Sequence, residues 1–197
     1  MNTNSRIYKP IAGLALTTGF LLLIPLIAMQ FSDEVVWTPS DFIFAGTLIF
    51  GTGLTYILAT RVLASQMGDN IVYRIAVGFA LFTGLFLIWV NGAVGIIGSE
   101  ENPVNVLYFG VIAVGIIGAF ITRFRAQGMV FTMFCMALAQ ALIAVIALVG
   151  GSYQSPPSTV FHIIGVNGFF ITLFVVAALL FRYAAQEQTP ENAGAEG

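Results

Sequence analysis

The seven Lys and Arg residues of this 197-residue chain all fall in alternate gaps between six long apolar stretches. Arg6 and Lys9 precede the first stretch, and Arg61 and Arg74 frame the gap after the second. Arg123 and Arg125 fill the gap after the fourth, and Arg182 follows the sixth. The intervening gaps hold no Lys or Arg, and two of them carry Asp33, Glu34 and Asp41, then Glu100 and Glu101. Basic side chains resist translocation and stay on the cytoplasmic side. The pattern therefore predicts an all-α membrane protein with six transmembrane helices and both termini in the cytoplasm.

Composition narrows the class further. Hydrophobic residues make up 58% of the chain and charged residues 8%, too little charge to cover a soluble surface of this size. No basic cluster extends beyond the short loops, so nucleic-acid binding has no electrostatic basis. The lone Cys135 cannot form an internal disulfide and reads as a small buried hydrophobe. Arg6 and Lys9 resemble the start of a signal peptide. The apolar run from Ile11 to Met29 exceeds a signal core of roughly 7–15 residues, and no A-x-A site follows it.

The spans are expected at about 11–30, 41–60, 74–98, 103–122, 129–149 and 157–181, each near the roughly 20 residues a bilayer requires. Together they predict a single six-helix domain over residues 1–185, with a disordered polar tail over 186–197. Alternating strands are missing from the pattern, which excludes a β-barrel. Thr38-Pro39-Ser40-Asp41 carries a helix-start signal, with Thr as cap, Pro at the first helical position and an acid at the third. Asn102-Pro103 and Ser155-Pro156 repeat the cap-then-proline order. Tyr8, Tyr56, Tyr73 and Tyr183 are expected at the cytoplasmic interface, and Trp37, Tyr108 and Tyr153 at the outer one. Pro25 predicts a kink in the first span. Ala93-Val94-Gly95-Ile96-Ile97-Gly98 recurs as Ala113-Val114-Gly115-Ile116-Ile117-Gly118, read as two small-residue faces for close helix packing.

Ionisable residues are not expected near the midplane of any span, which argues against proton relays and ion coupling. The single His162 excludes a metal site of several histidines and internal bis-histidine haem ligation. A rhomboid-type serine protease would need a serine within the spans, yet Ser99, Ser152, Ser155 and Ser158 all lie at outer turns. Gly51-Thr52-Gly53 lies inside an apolar helix and carries no nucleotide-binding geometry. Neither a cofactor, a metal nor a catalytic group is expected.

The best candidate site is a neutral polar layer. Asn91, Gln140 and Asn167 fall on the third, fifth and sixth spans, roughly 11–16 Å below the outer surface at ~1.5 Å per residue. Thr47 on the second span reaches a similar depth, Trp89 brings an indole N–H, and His162 lies one to two turns above Asn167. Such residues form a pocket for a small neutral or amphipathic ligand, or they bond across helices and hold the bundle together at about 0.6–2 kcal/mol each. The second reading is favoured, because an unpaired amide is costly in lipid.

Three segments carry a family resemblance: Trp37-Thr38-Pro39-Ser40-Asp41-Phe42, Gly51-Thr52-Gly53-Leu54, and Ile88 through Ile96 with the sequence Ile-Trp-Val-Asn-Gly-Ala-Val-Gly-Ile. Over roughly its first hundred residues the chain resembles a family of small uncharacterised bacterial integral membrane proteins. Members carry Glu-Leu-Ala-Val-Gly where this chain has Asn91-Gly92-Ala93-Val94-Gly95, an acid replaced by an amide. The resemblance implies a bacterial cytoplasmic (inner) membrane location and brings no activity.

The sequence thus leads to a non-enzymatic membrane protein acting through helix–helix contacts as an accessory or assembly partner. Its surroundings would be the lipid bilayer and a membrane-protein partner or further copies of itself. The alternative is a small permease or channel for an uncharged solute. An enzyme would need chemistry at the outer surface, from Glu100, Glu101, Asp41 or His162.

Overall fold

In a bilayer the backbone must satisfy its own hydrogen bonds, so long apolar segments fold as helices. The computed structural model describes residues 3–63, 70–99, 101–154 and 158–194, and among them it holds no strand. Six helices are long and apolar enough to cross a membrane: Tyr8–Phe31, Pro39–Arg61, Ile71–Ala93, Pro103–Ile121, Ala126–Val149 and Val160–Glu187.

The chain forms two compact units, 1–62 and 63–197, where the sequence suggested one domain. Among the described residues, the buried polar side chains lie in the second unit, apart from Thr18. The first unit is a hairpin of α1 (Thr3–Phe31) and α2 (Pro39–Leu58), extended by one π-helical segment, Ala59–Leu63. α1 continues through both Pro10 and Pro25. At the start of α2 the Asp41 carboxylate accepts from the Thr38 N–H at 2.6 Å and from its Oγ1–H at 2.8 Å. Those bonds fix the proline-led entry into the helix. Large apolar side chains face outward along α1, including Leu16, Phe20, Ile24 and Phe31, as lipid-facing surface requires.

The second unit comprises α3 (Ile71–Ala93), a 3-10 turn (Pro103–Val106), α4 (Leu107–Ile121), α5 (Ala126–Val149) and α6 (Val160–Gly194). α6 packs on both α3 and α5, and α4 packs on α5. Aromatic rings fill the α3–α6 seam: Phe86 lies 5.6 Å from Phe170 and 6.1 Å from Phe169 between ring centroids. Phe170, Phe174 and Phe181 recur at helical spacing along α6 and are all buried. Between α4 and α5 the approach is closer. A Cβ on Gly118 would lie 2.5 Å from Thr132 Cγ2, so only glycine fits this crossing.

Several expectations are corrected. The third span stops at Ala93, and Val94–Ser99 forms a folded loop. The first copy of the internal echo is therefore no packing face, while the second lies within α4 as expected. The expected tail is helical as far as Gly194. Ala, Glu and Gln are good helix formers, and here they extend a helix already nucleated by the span. Glu187 in that extension accepts from Asn70 Nδ2 at 3.3 Å. Cys135 is exposed on α5, so its thiol faces outward. Tyr73 and Tyr108 are each 1% exposed, core residues in place of headgroup anchors, whereas Tyr8, Tyr153 and Tyr183 are exposed as anchoring requires. The Ser155-Pro156 signal and Glu100 lie outside the described residues.

Candidate functional site

Each polar residue of the central network sits on the buried stripe of its helix. Asn167 shares a face of α6 with Ile163, Phe170 and Phe174, at helical spacings of four, three and seven. Gln140 lies on the α5 face that also buries Met133, Met136, Ala137, Ile143 and Ala147. Packing of these apolar stripes carries the amides inward, where they must find partners.

Asn167 is the junction. Its Oδ1 accepts from the Tyr108 hydroxyl at 2.9 Å and from Gln140 Nε2 at 3.1 Å. Its Nδ2 donates to the Ile163 carbonyl at 2.8 Å, one turn back on α6. One side-chain oxygen therefore ties α4, α5 and α6 together. Gln140 is fully buried, and among the described residues its Oε1 has no hydrogen-bond partner.

A second cluster organises the end of α3. Asn91 Nδ2 donates to the Asn105 carbonyl at 3.1 Å, and among the described residues the buried Asn91 Oδ1 has no hydrogen-bond partner. The Asn105 side chain fills the loop that follows. Its Oδ1 accepts from the N–H groups of Ile96 and Ile97 at 3.2 and 2.9 Å. Its Nδ2 donates to the carbonyls of Ile97 and Ser99 at 3.1 and 2.8 Å. Gly95 turns the chain with φ +71°, and a Cβ there would lie 2.6 Å from the Ser99 carbonyl oxygen. Ser158, just before α6, accepts from the Gly98 N–H at 2.6 Å. Ile96 and Ile97 are buried beneath this loop.

The expected layer thus resolves into parts. Gln140 and Asn167 meet directly. Asn91 joins them only through the turn that runs from Asn105 to Tyr108. Trp89 is 38% exposed on α3. His162 is exposed, and its backbone N–H donates to Thr159 Oγ1 at 3.1 Å. Thr47 is exposed on α2 and belongs to the first unit. Tyr108 and Asn105 were missed. Tyr108 reads as an interfacial aromatic until its position beside Val111 on the buried face of α4 is known. Asn105 is disguised by its place in a turn. Among the described residues no group of three His, Cys, Asp or Glu is placed to hold a metal ion.

Six apolar helices and a buried, uncharged amide network define a multi-pass membrane protein. Comparison with protein-family models, curated proteins and solved structures found no match.

Proposed function

We propose that the chain is a non-enzymatic protein of the bacterial cytoplasmic membrane, with both termini inside, acting through helix–helix contacts as an accessory or assembly partner. The observation that carries this reading is the engagement of Asn167. All three of its hydrogen bonds end on protein groups, and they join three helices. The amides serve as internal ties, so what the bundle presents sideways is apolar helix surface, including Phe120, Ile121, Leu138 and Val149. Surface of that kind is read by lipid or by another membrane helix. Orientation and compartment rest on the alternation of basic loops.

Purification in mild detergent, with mass spectrometry of everything retained, tests the proposal. A protein partner at fixed stoichiometry, or a defined homo-oligomer, is the expected outcome. A monomer without any protein partner would count against it.

The runner-up is a small permease or channel for an uncharged solute, favoured by the unpartnered Gln140 Oε1 and Asn91 Oδ1. Both are acceptors, so a solute they bind must present N–H or O–H groups. Flux of such a solute in liposomes, lost in Gln140→Leu while the protein stays folded, would put this reading first.

A further inference from the structure

The end of the second unit opposite the Asn105 loop is built around one buried contact. The Tyr73 hydroxyl donates to the Phe124 carbonyl at 2.6 Å, and the Tyr73 ring meets the Phe181 ring edge-on at 5.8 Å. Tyr73 and Phe181 are fully buried. Each of these three residues is followed directly by an arginine: Arg74 on α3, Arg125 before α5, and Arg182 on α6. One contact therefore gathers three cations, from three separate elements, at one end of the bundle. Arg125 and Arg182 are exposed and Arg74 is half-buried. Among the described residues none of the three guanidinium groups has a carboxylate partner, and Glu187 at this end bonds to Asn70.

The turn that presents Arg125 is held in an unusual conformation. Arg123 and Phe124 both have positive φ, +52° and +58°, a region that residues with a Cβ adopt at a cost. Backbone bonds from Phe124 N to the Ala119 carbonyl and from Arg125 N to the Thr122 carbonyl close the turn. The Tyr73 hydroxyl then fixes it from α3.

We propose that Arg74, Arg125 and Arg182 form a single binding site for the headgroup of an anionic phospholipid. Phosphate oxygens are the natural partners of unpaired guanidinium groups, which bond them in a fork. Location selects lipid over an acidic protein. Arg74 lies within the first turn of α3, Arg182 lies inside the α6 helix, and only Thr122–Arg125 separate α4 from α5. The cations are confined to the helix ends, at the depth where headgroup phosphates lie.

The test uses the full chain in vesicles of phosphatidylglycerol and phosphatidylcholine in equal parts, with native mass spectrometry of the lipid that remains bound. Preferential retention of phosphatidylglycerol is expected. At about 1 kcal/mol for each basic residue near the surface, the Arg74→Gln, Arg125→Gln, Arg182→Gln triple variant should lose on the order of a hundredfold in preference. Lys9→Gln should leave it unchanged. Tyr73→Phe keeps every charge but frees the turn, and part of the preference should go with it; full preference in Tyr73→Phe would overturn the shared site. Salt provides a readout that needs no variant. At about 1 M, where the screening length falls to roughly 3 Å, the wild-type preference should shrink severalfold. Equal retention of the two lipids at low salt, or a preference unaffected by the triple substitution, would overturn the proposal. Co-purification of an acidic protein in the absence of any lipid preference would overturn it as well.

Discussion

Replacing Asn167 with leucine should expose how strongly the amide network ties α4, α5 and α6. The change removes the acceptor for the Tyr108 hydroxyl at 2.9 Å and for Gln140 Nε2 at 3.1 Å. Both donors are then buried without a partner, at a cost of about 1–2 kcal/mol each. The bond to Ile163 lies within α6, and its loss adds little. Chains unfolded within a membrane or micelle find replacement partners, which pulls the sum toward its lower end. Asn167→Leu should therefore destabilise by about 2 kcal/mol. Tyr108→Phe, which keeps the ring and removes one bond, should cost about 1 kcal/mol. The two effects must be coupled, since they share one oxygen. In the Asn167→Leu background the Tyr108 hydroxyl is already an orphan, so removing it should cost nothing or even stabilise. The assay is reversible unfolding in mixed detergent–lipid micelles with added dodecyl sulfate, followed by circular dichroism, on the two single variants, the double and the wild type. An equal cost of Tyr108→Phe in both backgrounds would falsify the tie.

Three further outcomes follow from the same geometry. Gly95→Ala should destabilise by about 2 kcal/mol or more, because φ is positive and the new Cβ meets the Ser99 carbonyl; Gly92→Ala, in open space on α3, should be neutral or stabilise by up to about 1 kcal/mol in the same unfolding assay. Gly118→Ala should separate α4 from α5 at a cost of about 1–3 kcal/mol, visible as a lowered thermal midpoint in detergent, and Thr132→Ala should restore part of it by clearing the contact. His162→Ala and Thr47→Val should each shift stability by less than about 0.5 kcal/mol, since both residues are exposed; a larger loss in either would place that residue in an unrecognised contact.

The six helices were legible because lipid imposes a coarse rule on a chain: about twenty apolar residues in a row, broken by charge. Polarity inside such a run is equally conspicuous, which is why Asn91, Gln140 and Asn167 stood out and proved buried. Depth alone, however, says nothing of the direction a side chain faces around its helix. Thr47, Trp89 and His162 share the depth or the neighbourhood and still lie on exposed or half-exposed faces. The two copies of Ala-Val-Gly-Ile-Ile-Gly teach the same lesson. Residues 113–118 remain helical, with Gly118 against Thr132. Residues 93–98 leave the helix because Asn105, several positions downstream, supplies the partners their backbone needs. Local sequence cannot distinguish them when the deciding side chain lies elsewhere.

The separations of the two polar clusters along the chain also set an order for their assembly. Every side-chain hydrogen bond made by Asn105 joins it to residues between 96 and 99, and its carbonyl also accepts from Asn91. Those local bonds can form as soon as the third and fourth helices have left the ribosome, with little closure entropy to overcome; the bond from the Gly98 N–H to Ser158 must wait for the later chain. The Asn167 junction has no such freedom, because its partners lie 27 and 59 residues earlier and the residue itself arrives on the last helix. Until then Tyr108 and Gln140 lack this shared acceptor. The sixth helix thus acts as the keystone of its unit, and a chain truncated before it would hold the local bonds of Asn105 on an unlocked bundle.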